Sequence, residues 1–333
     1  MELTCLSHNR DKKLFLFSCC IPVKGSARGA IYDLQRDDIE LVPNSLVDFI
    51  GYINKKSVQN IIDEWGDNEI AWEYLELLIQ KEFIFFSSED HFPKLSHKCF
   101  NDDTSKIEFM TIVLSEFVVR NSKAIVERIE YLGVKCLYLH LPPGTDWEQI
   151  LEFTYFLKQS CVISLSISLP YQKDFNPNAI KEQRLKNLYF YSSPYSESIE
   201  IYNVNSYFLE YNEEEFLFPR AGINSISINH RAFLTGKKAN LGLYKTVFVN
   251  AKGMLQLNSI DIKEYGCILD SDMENNLFLL SEVWNIKRDK IMPCRKCELK
   301  YACTANFIPT YDDKKKMYFI NCNYNPSTNE WFT

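Results

Sequence analysis

The sequence predicts an α/β chain in three successive parts: a winged-helix-like unit over residues 1–95, a partial β/α barrel over 105–215 and a cysteine-rich metal-binding tail over 216–333. Three observations predict it. Two apolar strand-like runs precede three helical periodicities before residue 86. From Ile107 onward, short apolar strands alternate with amphipathic stretches. Near the end, Pro293–Cys303 reads PCRKCELKYAC, three thiols at C-x2-C-x5-C spacing, and Cys322 follows as a fourth. Four thiolates are a complete ligand set for tetrahedral zinc or for an iron–sulfur cluster.

With 333 residues and 46% hydrophobic composition the chain can bury more than one core. Its formal net charge of −7 excludes broad affinity for nucleic acid or anionic membranes, which require a positive surface. The N-terminus has no export-type apolar core, and no run approaches the roughly 18 apolar residues that span a bilayer. A cytoplasmic location is expected, and its eleven cysteines are expected to be reduced.

Taken in order, Leu14–Val23 and Ala30–Gln35 are joined by KGSARG and read as a hairpin. Asn44 or Ser45 can cap a helix burying Leu46, Phe49, Ile50 and Ile53. Ser57 can cap a second, burying Val58, Ile61, Ile62 and Trp65; Asp67 can open a third with Ile70, Tyr74, Leu77 and Leu78 on one face. A DNA-reading third helix is basic, whereas NEIAWEYLELLIQKE carries four glutamates and one lysine. The shape suits peptide recognition instead. Strand alternation points Cys19 and Cys20 to opposite faces, so they are read as small hydrophobes rather than as joint ligands. Residues 87–106 read as a linker, in which His97 and Cys99 are too few to make a metal site.

The middle part runs FMTIVLS, SKAIVERIEYLG, CLYLHL, DWEQILEFTYFLKQ, VISLSISL, NAIKEQRLKN, LYFYSS, which is three to four βα units of a parallel sheet. Function in such folds sits at the carboxyl ends of the strands. No dinucleotide, P-loop or nucleophile-elbow motif occurs, and His140 is the one suggestive strand-end residue. NEEEF reads as a solvated charge run. SISIN, TVFVN and MLQL read as strands, with Asn250–Gly253 as the turn between the last two. NLFLLSEVWN reads as a helix, and Pro293 turns the chain so that backbone amides can face the first sulfurs.

The order hairpin, G-C-I-L, W-x-I-x-x-D-x-I, C-x2-C-E-x4-C and C-N-Y-N-P-x-T-x-E-W resembles the C-terminal SPASM domain of peptide-maturing radical SAM relatives. Together with CCIPVKGSARGAIYDLQR near the start, it is similar to the SPASM-domain peptide maturase of grasp-with-spasm systems, which is encoded beside an ATP-grasp peptide ligase. The resemblance implies a ribosomal-peptide (RiPP) maturation partner. Its N-terminal unit would bind a precursor's leader peptide as an added strand along the Ala30–Gln35 edge and the third helix, giving Ile31, Tyr32, Leu34, Tyr74 and Leu78 as peptide-contacting candidates. It also implies a metal set of Cys294, Cys297, Cys303 and Cys322.

Two departures qualify it. Radical SAM enzymes carry C-x3-C-x2-C after the first barrel strand, but Ile107–Ser122 holds no cysteine; the barrel is degenerate, and neither S-adenosylmethionine binding nor radical chemistry is expected. Asn306 stands where a further SPASM cysteine occurs, and among upstream thiols only Cys267 remains for a second cluster. One closed site is expected, with [4Fe–4S] favoured over zinc. A stand-alone metal-dependent peptide-modifying enzyme working around His140, and a winged-helix regulator whose metal senses redox state, are the alternatives.

Overall fold

The computed structural model describes residues 6, 8–93, 104–173, 175–176, 180–201, 203–218 and 221–332; His97, Cys99 and Cys5 lie outside them. The run expected as one strand from Leu14 divides into β1 (Lys13–Leu16) and β2 (Cys20–Lys24), because a turn intervenes in which the Cys20 N–H donates to the Phe17 carbonyl at 3.0 Å. β2 pairs antiparallel with β3 (Gly29–Asp33), the expected hairpin. β3 also pairs on its far side with β4 (Asp38–Val42), a strand the sequence reading missed. Being central, β3 has no free edge for an added strand, which corrects the expectation for Ala30–Gln35. Its two faces are both buried: Ile31 packs toward the helices with Leu78, while Tyr32 and Leu34 pack against the C-terminal half of the chain.

Helix α1 (Asn44–Ile53) buries Leu46, Phe49, Ile50 and Ile53 as expected. Helix α2 (Val58–Trp65) is capped by Ser57, whose hydroxyl accepts from the Asn60 N–H at 3.2 Å. In α3 (Glu69–Gln80) the cap is Asn68 rather than Asp67, and the buried stripe is Ala71, Leu75 and Leu78. That rotation leaves Ile70 58% exposed and Tyr74 half-buried. Strand β5 (Ile84–Ser87) returns to pair with β1.

Among the described residues, eight strands form the central sheet in the order β10-β11-β9-β8-β7-β6-β12-β13. The strands are β6 (Phe109–Val113), β7 (Cys136–His140), β8 (Ser164–Pro170), β9 (Leu185–Tyr191), β10 (Glu197–Ile201), β11 (Val204–Phe208), β12 (Thr246–Val249) and β13 (Leu255–Gln256). All neighbours from β11 to β12 are parallel; β10 and β13 run antiparallel at the two ends. This is a mixed α/β fold around a large parallel sheet. After the short helix α4 (Glu116–Arg120), helices α5 (Ser122–Leu132) and α6 (Glu148–Leu157) cover the face carrying Leu137, Leu139, Leu165 and Ile167. The expected helix NAIKEQRLKN is not formed over 180–184, and its last residues enter β9. NEEEF, expected as a solvated run, is a short helix, α7 (Glu213–Leu217), closed by a capping box between Asn212 and Glu215.

The division expected at 216 cuts through this sheet: β12 pairs with β6, and α9 (Met273–Trp284) packs into the same core. A helix missed from sequence, α8 (His230–Lys238), lies just before β12. The Asn250–Gly253 turn forms as expected, with Gly253 at φ +80. Beyond α9 come the small strands β14 (Ile291–Met292), β15 (Thr310–Asp312), β16 (Met317–Phe319), β17 (Tyr324–Asn325) and β18 (Glu330–Trp331). Among the described residues no helix is long and apolar enough to cross a membrane.

Candidate metal centre

The tail packs loops rather than long elements, so its thiols are positioned by turns. Cys294–Lys296 is a single 3-10 turn, closed by the Cys297 N–H donating to the Cys294 carbonyl at 2.9 Å. The Leu299 N–H then donates to the Cys297 sulfur at 3.4 Å. The second of these is the kind of amide-to-sulfur contact that the turn at Pro293 predicts. Cys294, Cys297, Cys303 and Cys322 line one small cavity of about 20 Å³, partly open to solvent, together with Ile226, Leu299, Tyr324 and Trp331. Cys267 is elsewhere, at the β13 end of the main core. Among the described residues, the one set of three metal-ligating atoms lying within 4.8 Å of one another is not here.

Burial raises the pKa of the thiols of Cys294 and Cys297, and pushes Cys322 up to about 11. The countervailing charge is Arg288, which is fully buried. Its Nη1 donates to the Cys294 sulfur at 3.4 Å and its Nη2 to the Ala305 carbonyl, while its Nε has no hydrogen-bond partner among the described residues. Burial works to depress the Arg288 pKa; Cys303 and Cys294 outweigh it and leave the guanidinium raised. A guanidinium taken wholly out of water needs an anion, and the groups that surround Arg288 are thiols. The donor set therefore fits a bound cationic metal group held by thiolates, whose anionic sulfurs would be the missing partners.

The N-terminal unit is docked against these loops. The turn between β2 and β3 inserts beside them: the Ser26 N–H donates to the Lys296 carbonyl at 2.7 Å and the Ala27 N–H to that of Pro326 at 3.1 Å. Gly25 is required there, since a Cβ would meet the Arg28 carbonyl at 2.5 Å and the Glu298 nitrogen at 2.9 Å. Glu298, next to Cys297, is fully buried and pairs with Arg28 at 2.8 Å; the hydroxyl of Tyr324 bonds the same carboxylate oxygen. The Tyr32 hydroxyl donates to the Glu298 carbonyl at 2.7 Å. Behind, SISIN, expected as a strand, makes an isolated bridge from Ile226 to Cys303, and Gly236 of α8 lets the helix approach the Tyr301 backbone, where a Cβ would lie 2.6 Å from its carbonyl. Arg288, Glu298 and Arg28 were missed from sequence; the one available signal was a glutamate directly after a ligand cysteine.

Of the peptide-contacting candidates, Ile31, Tyr32, Leu34 and Leu78 are buried and only Tyr74 reaches the surface. His140 ends β7 on the face of the sheet opposite α5 and α6. Its Nδ1 is 2.8 Å from the Ser168 hydroxyl and its Nε2 is 2.8 Å from Glu213. The ring is stacked on Tyr191 and on Phe216 of α7, and is fully buried. Burial first of all lowers the His140 pKa, against the Glu213 contact. A ring so enclosed, with both nitrogens engaged, anchors α7 and has no access to a substrate.

The chain matches no protein-family model and no curated protein. Among solved structures it is similar to the crystal structure of Streptococcus suis SuiB, with a TM-score of 0.37 and 9% identity over 87% of this chain and 94% of that one. It is also similar to SuiB bound to S-adenosylmethionine, with a TM-score of 0.34 and 10% identity over the same shares. At these scores the chemistry of this chain is read from its own residues.

Proposed function

We propose that this chain is a non-catalytic partner in the maturation of a ribosomally made peptide: its N-terminal unit binds the precursor's leader, and the sheet with its metal-bound, SPASM-type tail presents the core peptide to an ATP-grasp ligase. The observation that carries the reading is the docking of the β2–β3 turn onto the cysteine loops through Gly25, Arg28 and Tyr32. It makes one body of the peptide-recognition shape and the metal tail.

With β3 central, the leader's place is the outer edge of β4, one of the two edge strands of the β2-β3-β4 sheet and the one tied to the end of α3. Leu41 there is 42% exposed, Lys81 after α3 pairs with Glu40 at 2.7 Å, and Tyr74 of α3 bonds Ser45 at 2.6 Å. An added strand gains main-chain hydrogen bonds along β4 and side-chain contacts on Leu41 and Tyr74. Four thiolates suit a single zinc or a [4Fe–4S] cluster alike; the resemblance to SPASM domains favours the cluster. Such a cluster, closed by four cysteines, supplies electron transfer or cohesion and no open coordination position. The cysteine-free stretch after β6 leaves no ligands for a SAM-binding cluster, so catalysis is assigned to the ligase.

Calorimetric titration with the cognate precursor tests this. Saturable binding to the wild type that falls at least about tenfold in Leu41→Pro, which removes an edge donor, is expected, with circular dichroism confirming the fold. Absence of binding to both precursor and ligase overturns it.

A further inference from the structure

Outside the four-cysteine cavity, the thiols of Cys19 and Cys20 and a carboxylate oxygen of Asp33 converge within 4.8 Å of one another. The local chain explains this, and it corrects the expectation that alternation separates the two thiols. Cys19 belongs to the turn closed by the Cys20 N–H and the Phe17 carbonyl, so it precedes the strand and is not bound by strand alternation. Asp33 lies directly opposite Cys20 in the β2–β3 register, and directly opposed residues share a face. Cys20 and Asp33 are buried and Cys19 is half-exposed. All three line an open cavity with Gln35, Arg36 and Glu82.

The polar contacts leave room for an ion. Asp33 Oδ1 accepts the N–H groups of Gln35 and Arg36 at 3.0 and 3.1 Å, and among the described residues Oδ2 accepts only Arg36 Nη1, at 2.8 Å. The Cys19 thiol donates to Gln35 Oε1 at 3.6 Å, and Arg36 also pairs with Glu82. One lone pair of Oδ2 and both sulfurs remain for a ligand.

We infer that Cys19, Cys20 and Asp33 form a second metal site, for a borderline-soft divalent ion of the zinc class, with two thiolates, one carboxylate and a fourth position open to the cavity. Zinc holds sulfur and oxygen ligands at roughly 2.3 and 2.0–2.2 Å, which places them about 3.5–3.8 Å apart; from 4.8 Å or less, side-chain rotation suffices to close the set. Two thiolates and a carboxylate meet a dication and Arg36, which Glu82 shares at the exposed side of the cavity, so the loaded site would carry about one net negative charge, placed toward solvent. Thiolate donors select against magnesium and calcium, which take oxygen ligands.

The test is a Co²⁺ titration of the full-length protein, metal-depleted, reduced and kept anaerobic, read by thiolate-to-cobalt charge-transfer absorption and by zinc counting after displacement. The wild type is expected to bind one more equivalent than either Cys19→Ser or Cys20→Ser, and Asp33→Asn to weaken that equivalent at least about tenfold. Cys19→Ser, at a half-exposed turn, keeps the fold intact where Cys20→Ser does not. Metal stoichiometry in Cys19→Ser equal to that of the wild type overturns the site.

Discussion

Arg288 carries the metal reading at the scale of single residues. It is buried beside Cys294, Cys303 and Cys322 with one nitrogen unbonded, so its cost depends on whether those sulfurs are thiols or thiolates. In the metal-loaded protein Arg288→Met removes a buried counter-charge and should destabilise by about 3–5 kcal/mol. In the metal-free protein, where burial raises the pKa of Cys294 and Cys322 and favours their neutral thiols, the same substitution should be neutral or stabilising. Chemical denaturation with and without chelator reads both, and a loss of equal size in the two states contradicts the account. That Cys294, Cys297, Cys303 and Cys322 come together at one cavity was legible, because C-x2-C-x5-C is a spacing with one common physical use. Arg288 was not, since a lone arginine in sequence carries no sign of burial.

At the scale of elements, two contacts can be tested. His140 holds α7 through Glu213 and stacking on Phe216. Its folded pKa is lowered by burial, below an unfolded value of about 6.5. Between the two values the unfolded chain binds more protons, so stability is full above the unfolded pKa and declines as pH falls toward the folded one. Urea denaturation between pH 7.5 and 5 (roughly the window around the unfolded value) should show that decline, and His140→Gln should flatten it; an unchanged slope contradicts the role. Gly25 is the close-approach point of the β2–β3 turn against Glu298. Gly25→Ala should cost about 1–3 kcal/mol by overpacking against backbone and should raise hydrogen exchange in both the 25–33 and 294–303 segments. Exchange rising in only one of them separates the two parts and contradicts the docking.

The same elements show what the sequence could disclose. Periodicity located α1 and α2 and the Ser57 cap, because a 3.6-residue repeat with a capping hydroxyl has one local solution. It missed β4, whose Asp38-Ile-Glu-Leu-Val follows a turn with no glycine in it, and it shifted the face of α3 by taking Asp67 for the cap. It also joined β1 to β2, since the turn at Phe17–Cys20 lacks the usual glycine or proline. That same error hid the convergence of Cys19 and Cys20.

At the scale of the whole molecule, the tail is not a separate appendage. β12 and α9 complete the central sheet and its core, while the cysteine loops hold the N-terminal unit through Glu298 and Tyr324. Nothing local in the sequence disclosed this, because the pairing of β12 with β6 joins segments far apart in the chain. The account's central claim is that one metal group, closed by Cys294, Cys297, Cys303 and Cys322, holds this arrangement together, a contribution on the order of 10 kcal/mol for thiolate–metal binding in small domains. Elemental analysis and absorption of anaerobically purified protein, wild type and Cys297→Ser, tests it most directly. The account predicts stoichiometric iron and sulfide with a broad thiolate–cluster band in the wild type, and its loss in Cys297→Ser together with proteolytic sensitivity beyond residue 290. A wild-type protein free of metal at this site, or a Cys297→Ser tail as protected as that of the wild type, would contradict it.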